Sequence, residues 1–323
     1  MYDVITIGAA TQDVFLLSDG FHLMLSPTMK RMCECFPLGE KINVEHVDFE
    51  TGGGATNSAA TFRNLGFKVA VAARTGDDSA GDFIRKDLAV RDIRRQFIRI
   101  VKGGASGYAA ILLTPHGDRT ALVQRGVSAS FTASDIPWNA LRARWLYVTS
   151  LGGNLKLLKR LFAAACARGI QIAFNPGMQE LKFGLKDVRA HCSAAHILLL
   201  NCDEASHLAQ GEGNVQRLRR CLHTHRQNAV VVTDGERGAY YWDSRLFLHA
   251  RARPVKVVNS TGAGDAFGSG FISGILRWRD PVHALQLATL NAAGTIQEMG
   301  AKRGLLTRWP TLGELGRIKV ERM

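Results

Sequence analysis

Residues Asn259 to Phe267 read Asn-Ser-Thr-Gly-Ala-Gly-Asp-Ala-Phe, and a small, apolar run from Gly268 to Leu276 follows at once. The first half has the composition of a glycine turn and the second that of a helix opening. Gly262, Ala263 and Gly264 would then offer backbone N–H groups at a helix N-terminus, where the dipole favours an anion such as a transferring phosphate. Asp265 adds a carboxylate beside that anion. Such a neighbour is electrostatically unfavourable unless it accepts a proton from an attacking hydroxyl. The chemistry these residues imply is phosphoryl transfer. Taken alone, they also read as a glycine C-cap and an Asp N-cap.

A second glycine run shifts the balance. Gly52-Gly53-Gly54-Ala55-Thr56-Asn57 also feeds a small-residue helix, and it matches neither the P-loop nor the dinucleotide-binding GxGxxG spacing. Two anion-tolerant loops from opposite ends of the chain imply a cleft built by both.

The elements that must hold these loops alternate short apolar runs with longer amphipathic ones, the pattern of an α/β protein with a mainly parallel sheet. Strands are expected at 3–8, 69–73, 145–148, 170–174, 196–200 and 229–233. Helices are expected at 55–65, 79–90, 154–168, 203–209, 214–225, 263–277 and 281–299. Two stretches, about 12–50 and 97–125, interrupt the alternation with strands alone: Val14–Leu17, Lys41–Phe49, Phe97–Val101, Tyr108–Leu113 and Thr120–Gln124. They predict a small antiparallel β-sheet standing off the main domain as a lid over the Gly52 loop. Within 21–39, Met24, Met29, Met32, Cys33, Cys35 and Phe36 crowd together, reading as an adaptable apolar flap or partner surface rather than a metal cluster.

Bulk properties exclude several classes. The longest apolar runs, such as Ile197 to Leu200, are too short to cross a bilayer. The chain enters a strand pattern at Asp3 without a basic-then-apolar leader, so a cytoplasmic protein is expected. The cysteines at 33, 35, 166, 192, 202 and 221 include no CxxC pair, which fits reduced thiols. A formal charge of +13, with clusters at Arg91, Arg94 and Arg95 and at Arg217, Arg219, Arg220, His223, His225 and Arg226, suits phosphorylated or nucleotide ligands. No helix-turn-helix, zinc-finger or RNP pattern organises those charges for nucleic acid, so solvated helix faces are the plainer reading.

The two glycine loops, their order and their separation resemble the signature regions of the ribokinase (PfkB-type) carbohydrate kinase family, over nearly the whole chain from Ile5 to about Gly304. The resemblance implies a single ribokinase-like domain over 1–323, a three-layer α/β/α core with a β-lid, ATP as donor, Mg²⁺ as cofactor, and a sugar or nucleoside alcohol as acceptor. It implies Asp265 as the catalytic base and Gly262, Ala263 and Gly264 as the anion hole. It places Asp13, Gly53, Gly54 and Asn57 around the acceptor, where an ionised Asp13 clamps vicinal hydroxyls and Asn57 offers a donor and an acceptor.

For the nucleotide it implies Asn201 and Glu204 from Asn201-Cys-Asp-Glu204, with Glu204 orienting Mg²⁺ through water. The same spacing is that of a helix cap and its box partner. Thr233, Gly235 and Gly238 follow a strand as a nucleotide-binding turn, and a simple hairpin turn is the structural alternative. Thr261, Asn291 and Gly300 complete the implied nucleotide set. Arg119 and Arg125, in the lid hairpin around Gly117 and Asp118, would grip a phosphate already on the acceptor.

Departures from the pattern narrow the reading. Asn259 stands where relatives that use K⁺ carry Asp, which leaves its side-chain carbonyl as the ligand for a K⁺ cofactor; Gly54 stands where ribokinase has Lys, and no Glu lies between Thr149 and Leu151. Ribose itself is therefore disfavoured. Asp234 puts a carboxylate beside the nucleotide turn. A keto-sugar, a sugar phosphate or another sugar derivative is preferred as acceptor, a nucleoside is the runner-up, and a non-catalytic kinase-fold binder is the reading from another class. The family also implies a homodimer through the lid.

Overall fold

The computed structural model describes residues 1–114, 119–182, 190, 194–210, 215–222 and 228–323. Cys192, Gly117, Asp118, His223, His225 and Arg226, and with them both ends of the helix expected at 214–225, lie outside the described residues.

Val4, Ile5 and Ile7 of β1 (Tyr2–Ile7) are fully buried, and β1 pairs in parallel on both sides. A central parallel strand covered on both faces takes such a continuous apolar run. The other strands among the described residues are β2 (Thr11–Leu17), β3 (His22–Ser26), β4 (Arg31–Cys35), β5 (His46–Gly52), β6 (Val69–Gly76), β7 (Arg94–Val101), β8 (Gly107–Leu113), β9 (Arg119–Gln124), β10 (Ala143–Val148), β11 (Gln171–Phe174), β12 (Ile197–Asn201), β13 (Ala229–Thr233), β14 (Ala239–Trp242), β15 (Phe247–Ala250) and β16 (Val320–Arg322). The helices are α1 (Gly54–Asn64), α2 (Ser79–Val90), α3 (Leu155–Cys166), α4 (Met178–Lys182), α5 (Cys202–Leu208), α6 (Val215–Cys221), α7 (Ala263–Trp278), α8 (Pro281–Thr295) and α9 (Leu312–Leu315).

The ten-stranded sheet runs β16-β15-β14-β13-β12-β11-β10-β1-β6-β7, parallel from β13 to β7 and antiparallel beyond β13. One face buries Phe62 of α1, Ile84 and Leu88 of α2, Phe271 of α7 and Leu285 of α8. The opposite face buries Leu158, Leu161 and Phe162 of α3, Leu208 of α5 and Leu218 of α6. This gives three layers. The sheet extends from β1 through β6 on one side and through β10 on the other, and a crevice at such a switch point, outside the strands' carboxyl ends, is where α/β sheets bind ligands.

The small residues of α7 have a packing cause. A Cβ on Gly274 would come within 2.5 Å of Ala284 Cα, and one on Gly270 within 3.0 Å of Ala288 Cα. Glycine there lets α8 lie directly on α7, which fixes the direction of the α7 N-terminus.

The lid is a second sheet in the order β5-β2-β8-β9, with β2 and β8 parallel and the outer pairs antiparallel. Phe15, Ala109, Ile111 and Leu113 are buried together on it. One strand expected in the lid is elsewhere. Phe97–Val101 lies in β7 and pairs in parallel with β6 at the edge of the large sheet. Phe97 packs into the core on one face of that sheet and Ile98 into the core on the other, a two-sided cover the lid does not offer. The second lid segment therefore begins at Gly107. Residues 22–35 form their own hairpin, β3 with β4, which leaves Met24, Met29 and Met32 exposed.

Candidate active site

The two glycine loops meet. Asn57 Nδ2 donates a 2.9 Å hydrogen bond to Asp265 Oδ2, across 208 residues of sequence. Asn57 lies in the first turns of α1, and Asp265 in the first turn of α7. Gly262 is the N-cap of α7, with φ of +79° that favours glycine, and its Cα is backed so closely by Ala301 that a Cβ would lie 2.4 Å from the Ala301 methyl. The first-turn N–H groups of α7 have no partners within the helix and carry the positive end of its dipole.

Asp13 lies on β2, mostly buried, and its Oδ1 accepts a 2.7 Å hydrogen bond from Thr11 Oγ1. A Cβ on Gly52 would sit 2.0 Å from Asp13 Oδ2, so the carboxylate occupies the space that this glycine leaves. Gly53 has φ of +94° and lies under the Ala9 carbonyl, while Gly54 abuts the Thr149 side chain. The Asn57 Oδ1 is buried without a partner, a free acceptor at this wall of the cleft. Tyr147, fully buried below the α7 turn, lies against Gly268, and burial followed by the Asp265 charge pushes its phenol up, so it stays protonated.

Burial and three neighbours set the charge state of Asp265. Burial pushes its carboxyl above the usual Asp range, and Asp13 adds to the push, while the Asn57 amide and the Lys302 ammonium hold it down. Burial likewise raises Asp13, against Thr11 and Lys302.

A cavity of about 210 Å³ opens beside Asp265, lined by Asn175, Asn201, Glu204, Thr233, Gly262 and Gly264 among others. Asn201 and Glu204 form a reciprocal cap at the start of α5: Asn201 Oδ1 accepts from Glu204 N at 2.8 Å, and Glu204 Oε2 accepts from Asn201 N at 2.9 Å. The capping geometry and the cavity wall are thus the same residues. Burial pushes the Glu204 carboxyl up to about 7, with Asp203, Asp265 and Glu180 adding to the rise. Oxygen donors crowded with unneutralised negative charge suit a hard divalent cation such as Mg²⁺.

Thr233, Gly264 and Phe267 also line a larger cavity of about 620 Å³, bounded by Gly235, Gly238, Val255, Val257, Ala292 and Ile296 and therefore mostly apolar. The Gly235–Gly238 turn joins the antiparallel strands β13 and β14, so the hairpin turn and the cavity wall coincide. Asp234, on that turn, is held by Arg237 in a two-pronged pair at 2.6 and 2.7 Å.

Three residues expected around the nucleotide are placed differently. Asn291 is fully buried inside the helical layer. Its Nδ2 donates to Thr61 Oγ1 and Ala266 O, and its Oδ1 accepts from Leu306 N, so the amide ties α8 to α1 and α7. Gly300 lies against the Glu50 side chain of the lid strand β5. Thr261 donates its N–H to Asn259 Oδ1 at 3.0 Å, and its neighbour Ser260 lines the larger cavity instead.

The same Asn259 oxygen faces Arg119 Nη1 of the lid at 3.4 Å. An acceptor already taken by the Thr261 amide and facing the Arg119 guanidinium is a poor ligand for K⁺. Arg119 also contacts Ser260 Oγ, which puts it beside the glycine turn that opens α7.

Two residues escaped the sequence reading. Asn175, which donates to Leu199 O and lines the smaller cavity, had a signal: it directly follows a predicted strand. Lys302 had none, because a lysine in a polar loop looks solvent-facing, yet its side chain is wholly buried.

A three-layer sheet with a β-lid, and a buried carboxylate at a glycine-capped helix N-terminus, define a ribokinase-like kinase. Residues 3–308 match the pfkB family carbohydrate kinase model, and the chain belongs to that family. It is 27% identical to a cytidine kinase of Thermococcus kodakarensis, over 82% of this chain and 92% of that protein. It is 28% identical to an ATP-dependent ribose-1-phosphate kinase of Halopiger xanaduensis, over 78% of this chain and 82% of that one. A ribokinase of Cryptococcus neoformans in complex with ADP has the same fold, with a TM-score of 0.74 at 19% identity over 98% of both chains. The chain is therefore a sugar or nucleoside kinase that transfers phosphate to a hydroxyl group. Among the described residues no helix is long and apolar enough to cross a membrane.

Proposed function

We propose that this protein transfers the γ-phosphate of ATP to a hydroxyl of a sugar or sugar derivative, with Asp265 as the general base. The observation that carries this reading is the Asn57–Asp265 hydrogen bond, which sets the base between the acceptor loop and the anion-binding turn. The acceptor lies against Asp13 and the free Asn57 Oδ1, under the lid. Asp265 takes the hydroxyl proton as the oxygen attacks phosphorus. A carboxyl raised by burial is the stronger base once ionised, and the Lys302 charge keeps that ionisation accessible.

The first-turn N–H groups at 262–264 meet the charge that develops on the transferred group. The larger apolar cavity takes the adenosine and the smaller one the phosphates. When bound, Mg²⁺ would neutralise phosphate charge, held by Glu204 through water and by the nucleotide itself. Arg119, carried by the lid, brings a cation to the phosphate side as the lid shuts and water is excluded.

A nucleoside acceptor is the second reading, favoured by the similarity to a cytidine kinase. The relatives' range, from a nucleoside to a sugar phosphate, sets the acceptor panel. We also infer a homodimer through the lid, whose β5 and β9 leave Val47, Phe49, Leu122 and Val123 exposed.

The test is ADP release against sugars, sugar phosphates and nucleosides, with Asp265→Asn alongside. Turnover on one acceptor that falls by orders of magnitude in the variant, with nucleotide binding kept, is the expected result. Equal turnover in the variant would remove Asp265 as the base, and salt-sensitive RNA or DNA binding without turnover would favour the binder.

A further inference from the structure

Lys302 sits in the turn after α8, with its side chain fully excluded from solvent. An unpaired buried ammonium is costly, and here the surroundings are specific. Its Nζ donates to the Thr51 carbonyl, to Thr51 Oγ1 at 2.6 Å and to Thr56 Oγ1 at 3.3 Å. Thr51 Oγ1 in turn donates a hydrogen bond to Asp87 Oδ2 of α2 at 2.6 Å, and Thr56 Oγ1 donates to the Gly52 carbonyl at 2.6 Å. Asp87 lies 3.8 Å from Nζ, while Arg91 binds its other oxygen at 2.8 Å.

Thr51 to Thr56 is the segment where the lid strand β5 ends and α1 begins, with Gly53, at a positive φ that glycine adopts freely, between them. The ammonium therefore grips the hinge between lid and core. The residue before it, Ala301, backs Gly262 of the anion turn. One dipeptide, 301–302, thus touches both glycine loops.

The charge is also placed with purpose. Asp87 has its own cation in Arg91, so Lys302 is not needed merely to neutralise it. The carboxylates that feel Lys302 from the other elements are Asp13 on β2, Glu50 on β5 and Asp265 on α7, and Arg303 already pairs with Glu50 at 2.5 Å. Asp13 lies against Gly52, next to the Thr51 that Lys302 holds, and Asp265 is bound by Asn57, next to the Thr56 that Lys302 also reaches.

We propose that Lys302 is a positioning residue for the transfer: its buried ammonium locks the Thr51–Thr56 hinge and supplies the fixed positive charge that Asp13 and Asp265 face. The inference rests on Asp265 being the base, and it assigns the acceptor site an internal cation that belongs to the chain.

The two roles separate in two variants of the full-length protein. Lys302→Gln keeps donors for the hinge and removes the charge, whereas Lys302→Met removes both. Three readouts apply: kcat and KM against pH, thermal melting, and the carboxyl ¹³C titration of Asp265 in ligand-free protein, assigned with Asp265→Asn. Both variants are expected to lose kcat by about tenfold or more, with the acidic limb moved to higher pH because a stabilising cation is gone. KM for the acceptor should rise in Lys302→Met and stay near the unmodified value in Lys302→Gln. The Asp265 carboxyl should titrate higher in both.

An unmoved carboxyl titration in both folded variants overturns the proposal, whatever the activity does. A moved titration in a protein that turns over no acceptor would leave the charge role standing and sink the base reading instead. If neither variant folds, the unmodified protein still decides. Its Lys302, pulled down to about 8 by burial, should lose the proton there and kcat with it, and a kcat flat through that pH overturns the proposal.

Discussion

Arg119 of the lid strand contacts Ser260, 141 residues further along the chain, just before the glycine turn that opens α7. No carboxylate pairs with this guanidinium among the described residues, and partial desolvation lowers its pKa. Arg119→Met is expected to reduce kcat/KM for the nucleotide by about tenfold to a hundredfold, the loss of one charge-assisted hydrogen bond of roughly 1.5–3 kcal/mol. Melting should hardly change, since β9 is exposed along its length. Steady-state kinetics at varied ATP check this; a nucleotide KM and kcat within twofold of the unmodified protein would place Arg119 outside the phosphate site.

Asn57→Ala tests the wall of the cleft from the other side. It removes a donor that holds the Asp265 carboxyl down. The acidic limb of kcat/KM should therefore move to higher pH. Acceptor KM should rise as well, because the unpartnered Oδ1 leaves with the amide. A rise in KM at an unchanged pH profile would mean that Asn57 only binds the acceptor.

Gly274→Ala separates packing from chemistry. Its Cβ would meet Ala284 Cα and Cβ at 2.5 and 2.9 Å, backbone and methyl that cannot rotate away. The helices must part, at about 1–3 kcal/mol for overpacking. Differential scanning calorimetry should show a lower Tm, with acceptor KM little changed because Gly274 lies deep in α7, remote from its N-terminal turn.

These positions show what the sequence could reveal. The strand run 3–8, the helix 263–277 and the glycine turn were legible, because local composition and periodicity determine them. The destination of Phe97–Val101 was not: whether a strand joins a lid or a sheet edge depends on which surfaces cover its two faces, a tertiary matter. The surroundings of Asn291 were hidden for a similar reason: the family resemblance sets it near the nucleotide, but its partners Thr61, Ala266 and Leu306 come from distant segments that only folding brings together. Lys302 is the extreme case, since its burial is decided by Thr51 and Thr56, some 250 residues earlier.

The lid surface yields a prediction about assembly. Phe49 on β5 is 55% exposed and Leu122 on β9 is 58% exposed, at the two edges of a sheet whose inner face is already filled by Phe15, Ile111 and Leu113. Apolar groups repeated on a sheet's open side are what a second copy would bury. The double change Phe49→Asp and Leu122→Asp should convert a dimer to a monomer in light scattering, with the core fold intact by circular dichroism. A monomeric unmodified protein would remove the lid interface.

Lys302 also makes stability and activity run in opposite directions. Burial pulls its ammonium down to about 8 from the 10.5 of a free lysine. Below pH 8 both folded and unfolded chains carry the proton. Between about 8 and 10.5 the folded protein has released it while the unfolded chain keeps it, so unfolding takes up a proton and becomes harder as pH rises. The gain is fully present above 10.5 and is lost as pH falls to about 8, with an upper bound of about 3–4 kcal/mol. Activity should move the other way, since the neutral amine no longer faces Asp13 and Asp265 with a charge. Melting curves and kcat taken across that window test the pair. Lys302→Met, which cannot titrate, should lose this rise in stability relative to the unmodified protein. A parallel fall of stability and activity above pH 8 would show instead that the ammonium holds the fold together, and that the charge buried under the glycine loop is structural.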